Sequence, residues 1–243
     1  MKRIGFAAAA TLAAAVALAG VASPAQAASV GFYGTYGIGD ASGDAADYWD
    51  GGGWGWDSDT THTGAGLALE TPTGFYRFSY RLGVGWERID GEGENGRADG
   101  TLEGLVIDND FTYDLFASPT TRFWVGPELR LGFLNGSIED SPRGDRSFAA
   151  VGIGPVLGFD FALGPSVALS WKLGYLYTWY YADEDSWDDD YDHHHGDNDY
   201  YDDYYDSEME EGHAYLSLAV LFRLWGGPQA GPQPGAYQPQ GRW

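Results

Sequence analysis

The sequence predicts an all-β fold: eight antiparallel strands closed up-and-down into a transmembrane β-barrel, with short periplasmic turns and long extracellular loops. Three observations carry that expectation. Large apolar residues recur at every second position through eight segments, as one face of a strand requires. These segments exceed the about 5–6 residues usual in globular sheets and reach the about 9–11 that a tilted strand needs to cross a bilayer. The connectors between them alternate short and long, the pattern of barrels whose turns lie on one side and loops on the other. Composition agrees: Gly fills 37 of 243 positions, aromatics make up 16% of the chain, and mean hydropathy is only −0.33. A soluble β-sandwich also alternates, but it rarely supplies eight strands all this long.

Residues 1–27 read as a secretory signal rather than as fold. Lys2 and Arg3 form a basic start, Ile4 to Val21 is an Ala-rich apolar run, and Pro24-Ala25-Gln26-Ala27 offers an A-x-A cleavage pattern. An uncleaved anchor is the rival reading, and the weak hydrophobicity of an Ala and Gly run counts against it. The barrel is expected over 28–225, followed by a Pro/Gln/Gly-rich periplasmic tail over 226–243, either inert or a peptide-like contact.

The strands follow in order. Ser29 to Gly39 groups Val30, Phe32, Tyr36 and Ile38, and His62 to Glu70 groups Ala65, Leu67 and Leu69. Phe75 to Glu87 is the clearest, with Tyr76, Phe78, Tyr80, Leu82, Val84 and Trp86 opposite Arg77, Ser79, Arg81, Gly83, Gly85 and Glu87. Gly104 to Leu115 sets Leu105, Ile107, Phe111 and Tyr113 against Asp108, Asp110 and Asp114. Arg122 to Leu134 sets Phe123, Val125, Leu129, Leu131 and Phe133 against Arg122, Trp124, Glu128 and Arg130. Phe148 to Phe161 backs Val151, Ile153, Leu157 and Phe159 with Gly152, Gly154, Gly158 and Asp160. Val167 to Tyr181 presents eight apolar or aromatic residues on one face, and His213 to Trp225 sets Leu216, Leu218, Val220 and Phe222 against His213, Tyr215, Ser217 and Arg223. Short turns are expected at 71–74, 117–120 and 164–166, and long polar loops at 40–61, 88–103, 135–147 and 182–212.

Phrases such as FWVGPELRLGF, GYLYTWYY and YLSLAVLFRLW, set in this architecture, resemble the small eight-stranded outer-membrane barrels typified by OmpA, OmpX and OmpW. The resemblance implies the cell outer membrane as location, lipid and lipopolysaccharide as surroundings, assembly by the barrel-assembly machinery, and a monomer. It also implies a lumen closed by salt bridges. One departure is that the strand-like run ending in Trp225 is internal, whereas such barrels usually end on an aromatic residue.

Chemistry concentrates in two places. The inward face carries Arg77, Arg81, Arg122, Arg130, Lys172 and Arg223 beside Glu70, Glu87, Asp108, Asp110, Asp114, Glu128 and Asp160. Buried charges are tolerated when paired, and eight strands leave an interior about filled by side chains. These residues therefore read first as a polar plug and second as an ion pathway. The loop 182–212 holds eleven Asp and four Glu with no Lys or Arg. Asp188, Asp189, Asp190, Asp192, His193, His194, His195, Asp197 and Asp199 form its centre, a candidate for weak Ca²⁺ or Mg²⁺ association through oxygen and for softer metals through imidazole. A solvated, self-repelling loop is the plainer reading. Loop 40–61 offers Tyr48, Trp49, Trp54 and Trp56 either to a sugar or lipopolysaccharide surface or to its own packing.

Several classes are disfavoured. The absence of Cys removes disulfides, thiol catalysis and Cys-based zinc sites. A net charge of −23 argues against nucleic-acid binding. No nucleotide or redox motif calls for a cofactor. A lipid A-modifying enzyme would need a Ser–His pair, and His213 and Ser217 stand four apart, so the chain reads as no enzyme. What remains is a structural or surface-interaction role (envelope integrity, adhesion, or cation-mediated contact), with a narrow channel as the alternative.

Overall fold

The computed structural model describes residues 29–43, 58–72, 77–92, 100–138, 146–182 and 208–224. They form β1 (Ser29–Gly43), β2 (Ser58–Pro72), β3 (Phe78–Glu92), β4 (Gly100–Ala117), β5 (Thr121–Ile138), β6 (Arg146–Ala162), β7 (Val167–Ala182) and β8 (Glu208–Arg223). Each strand pairs antiparallel with the next, and β1 pairs with β8 from Ser29↔Arg223 to Gly43↔Met209, closing the barrel. Closure removes every strand edge, which is how an all-antiparallel sheet satisfies its backbone without covering layers.

Faces follow the parity read from the sequence. Phe32, Tyr36, Trp86, Phe111, Ile153, Phe159, Trp171, Leu173, Leu216 and Phe222 are exposed around the outside. Leu82 also points outward but is buried by lateral contact with Tyr80 and Ile107. The apolar belt and the charged interior invert the arrangement of a soluble domain, in which large exposed apolar surface is rare.

The strands run further than the apolar alternation. β2 begins at Ser58, β3 continues to Glu92, β4 begins at Gly100, and β8 begins at Glu208. The expected loops are correspondingly shorter, with connections 44–57, 93–99, 139–145 and 183–207. The ladder needs only backbone groups, so it continues past the last apolar residue into Thr, Asp and Glu. At the other end, β2 runs through Pro72 and β3 begins at Phe78 rather than Phe75, while the turns after β4 and β6 lie where expected. The signal segment, the aromatic residues of 44–57, the acidic centre from Asp188 to Asp199 and the tail from 226 lie outside the described residues.

Inward glycines make room for large inward side chains. A Cβ on Gly158 would overlap the Trp124 ring, and one on Gly174 would overlap the Tyr215 ring. Trp124 is consequently 0% exposed inside a barrel of only eight strands. The interior is not uniformly polar. At the end carrying the long connections, Ala41, Ile89, Leu102, Leu134, Phe148 and Met209 form an apolar cluster that the alternation does not indicate.

Candidate functional site

Three layers of buried polar side chains stack along the barrel axis beneath that apolar cluster. Nearest the short turns, Arg81 Nη2 donates to Glu70 at 2.8 Å and to Asp160 at 3.3 Å. Its Nη1 donates to Ser170 Oγ at 2.9 Å, and its guanidinium lies 4.8 Å from the Trp124 ring centre. Arg122 bonds Asp114 at 2.5 Å and Asp160 at 3.2 Å, and also bonds Glu70. Two guanidiniums thus hold three carboxylates from β2, β4 and β6, and planar forks are suited to such shared pairing.

In the middle layer, Arg130 Nε donates to Asp108 at 2.7 Å while Nη1 reaches both oxygens of Glu87 at 2.8 and 3.0 Å. Lys172 Nζ lies 3.2 Å from Asp110 and 2.9 Å from Glu128. Tyr215 donates to Glu128, and its ring lies 5.2 Å from Lys172 Nζ. A cavity lined by Tyr33, Ala68, Arg81, Asp108, Lys172 and Ala219 lies between these two layers.

The third layer, toward the long connections, is one that sequence reasoning missed. His62 Nδ1 is 2.8 Å from Glu87 Oε1, and Nε2 is 2.6 Å from Glu211 Oε1. Thr60 and Tyr180 both donate to Glu211. The His213 ring stacks on His62 with centroids 4.1 Å apart and planes 18° from parallel. His62 comes from β2 and His213 from β8, with β1 between them. They meet because β1 presents Gly37 and Gly39 inward there, paired with His62 and His213 respectively. By composition Glu211 falls in the expected acidic loop; backbone pairing with Ala41 of β1 is what places it in the barrel.

Of the expected inward charges, Arg81, Glu87, Asp108, Asp110, Glu128, Arg130, Asp160 and Lys172 are buried and placed in this ladder. Arg77 and Arg223 are corrections. Arg77 is exposed in the turn before β3 with φ 71°, so strand parity does not apply to it. Arg223 is the last residue of β8, half-buried at the rim, where Nη1 donates to the Pro165 carbonyl at 3.3 Å. His213 and Ser217 do face inward together, but neither ring nitrogen of His213 has a hydrogen-bond partner, so they form no Ser–His pair.

The charges do not balance. Glu70, Glu87, Asp108, Asp110, Asp114, Glu128, Asp160 and Glu211 face Arg81, Arg122, Arg130 and Lys172. Among the described residues the interior therefore has more carboxylates than permanently cationic side chains, and Glu211 beside His62 has no such cation as an ion-pair partner.

Comparison with solved structures finds similarity to outer-membrane proteins. Neisserial surface protein A is 16% identical over 80% of this chain and 96% of its own, with a TM-score of 0.43. OprG from Pseudomonas aeruginosa is 13% identical over 82% and 96%, with a TM-score of 0.42. A major outer-membrane protein from Thermus thermophilus is 17% identical over 80% and 98%, with a TM-score of 0.42. No protein-family model and no curated protein matches the sequence. The barrel assignment rests on the strand pairing itself.

Proposed function

We propose that this chain is a monomeric outer-membrane barrel with a closed lumen and a structural or surface-interaction role. Envelope integrity, adhesion and cation-mediated contact with lipopolysaccharide through the acidic segment all belong to that role. The observation that carries the reading is the inside-out distribution of side chains: an apolar belt facing outward around a closed sheet, and buried ion pairs within. An apolar cluster at one end and the ion pairs of Arg81 and Arg122 with Glu70 toward the other leave the interior occupied by side chains.

The surface part of the proposal rests on residues 183–207, where eleven Asp and one Glu stand with no Lys or Arg. Such density favours many weak contacts with hard divalent cations, which relieve the repulsion. The test is calorimetry of Ca²⁺ and Mg²⁺ uptake by the full chain and by a variant shortened within 183–207. Shortening must stop before Glu208, because β8 starts there. Weak multi-site uptake lost in the shortened barrel is expected; identical uptake by both would remove the cation-bridging role.

The excess of inward carboxylates favours one second reading, a narrow cation path. A single-channel recording separates it from the closed barrel.

A further inference from the structure

We propose that His62, Glu87 and His213 form a binding site inside the barrel for one divalent transition-metal ion of the zinc, copper or nickel class, with Glu211 orienting His62. Each of the three offers a ligand atom, and these atoms lie within 4.8 Å of one another. Their burial is nearly complete, with His62 and His213 at 1% exposure and Glu87 at 2%.

Two further observations point to a ligand there. His213 has both ring nitrogens buried and without a hydrogen-bond partner. An unsatisfied buried imidazole is costly, and here it faces a histidine flanked by two carboxylates. No hydrogen bond fixes the His213 ring, which is held by stacking on His62 with Nδ1 3.7 Å from Glu211 Oε2. The second observation is Glu211. It accepts from Thr60 and Tyr180 and lies 2.6 Å from His62 Nε2. A carboxylate held on the far nitrogen is the usual support of a metal-ligating histidine, because it fixes the tautomer and leaves the other nitrogen free to ligate.

The movement required falls chiefly on His213. His62 Nδ1 and Glu87 Oε1 are 2.8 Å apart. Tetrahedral ligands at metal distances near 2.0–2.1 Å stand about 3.3 Å from one another, so that pair opens by about half an ångström. His213 stacks 4.1 Å from His62 with the ring planes 18° apart, and a ring ligates through a lone pair in its own plane, so to supply a second nitrogen it tilts out of the stack toward the ion. Two nitrogens and one carboxylate oxygen suit zinc, copper and nickel, whereas Ca²⁺ and Mg²⁺ prefer oxygen alone. Arg130 keeps its hold on Glu87 and opposes a second ion nearby. The apolar cluster beyond the site makes loading during refolding the practical route.

The segment His193, His194 and His195 would bind the same ions, so the experiment uses the untagged full chain with all three replaced by Ala. This protein is refolded with Cu²⁺, freed of excess metal, and examined by metal analysis and electron paramagnetic resonance. One Cu²⁺ per chain with splitting from two nitrogens is expected. His213→Phe keeps the ring stacking and the fold, checked by heat-modifiable gel mobility, and should lose at least tenfold in affinity and show one nitrogen. Folded triple-Ala protein that retains no copper, or His213→Phe that retains it with an unchanged spectrum, would overturn the proposal.

Discussion

Replacing Arg130 by Met removes a cation of the interior shared by three carboxylates. Its guanidinium contacts Asp108 at 2.7 Å and Glu87 at 2.8 Å, and lies 3.6 Å from Glu128. All three carboxylates are buried, at 4%, 2% and 0% exposure. Lys172 still serves Glu128, and His62 still serves Glu87, but Asp108 loses its only ion pair among the described residues. Breaking a buried pair while leaving its partner charged costs about 3–5 kcal/mol, and the loss here should fall in that range rather than at a multiple of it, because the partners share other cations. That corresponds to an unfolding constant raised by about 10²–10⁴. The assay is reversible urea unfolding of the protein refolded into lipid vesicles. Asp108→Asn in the same protein should recover part of the loss, with a coupling of about 1–3 kcal/mol in the double-mutant cycle. A loss below about 1 kcal/mol with no coupling would mean that these carboxylates are well hydrated, and the closed interior would be refuted.

Three other perturbations test separate parts of the account. Leu173→Arg places a charge on a residue that is 50% exposed on the outer face of β7, and should cost about 2–4 kcal/mol in the same vesicle assay if that face meets the bilayer midplane; no cost would reverse the assignment of faces. Gly158→Ala drives a methyl into the Trp124 ring and should cost about 1–3 kcal/mol by overpacking, whereas wild-type stability would show that Trp124 is not packed there. A Cβ on Gly83 comes nearest to Asp108 side-chain atoms at 3.3–3.4 Å and the Tyr33 ring at 3.5 Å, without the overlap found at Gly158, so Gly83→Ser should fall below Gly158→Ala in cost; the reverse order would contradict the packing described for the two glycines.

The fold was legible because a strand between lipid and lumen must alternate, and the residues of β3 from Phe78 to Trp86 do so without interruption. Strand ends were less legible. Ser58 to Thr61 and Glu208 to Gly212 carry no apolar alternation, yet they belong to β2 and β8 because pairing above the belt needs only backbone groups. The inward direction of Arg81, Glu128, Arg130 and Lys172 could be read from parity alone. Their partners could not, since Arg130 on β5 reaches Glu87 on β3, a contact fixed by strand tilt and side-chain length rather than by spacing. The His62–His213 stack was hidden for a related reason: two strands contribute it, and the glycines of a third permit it.

Single-channel recording in planar bilayers tests the central claim most directly. A lumen filled by Trp124, Tyr215, the ion-paired layers and the apolar cluster containing Ile89 and Phe148 should give no stepwise openings of porin size. Stable, long-lived openings of that size in purified wild-type protein would contradict the closed barrel and establish a conducting path through it.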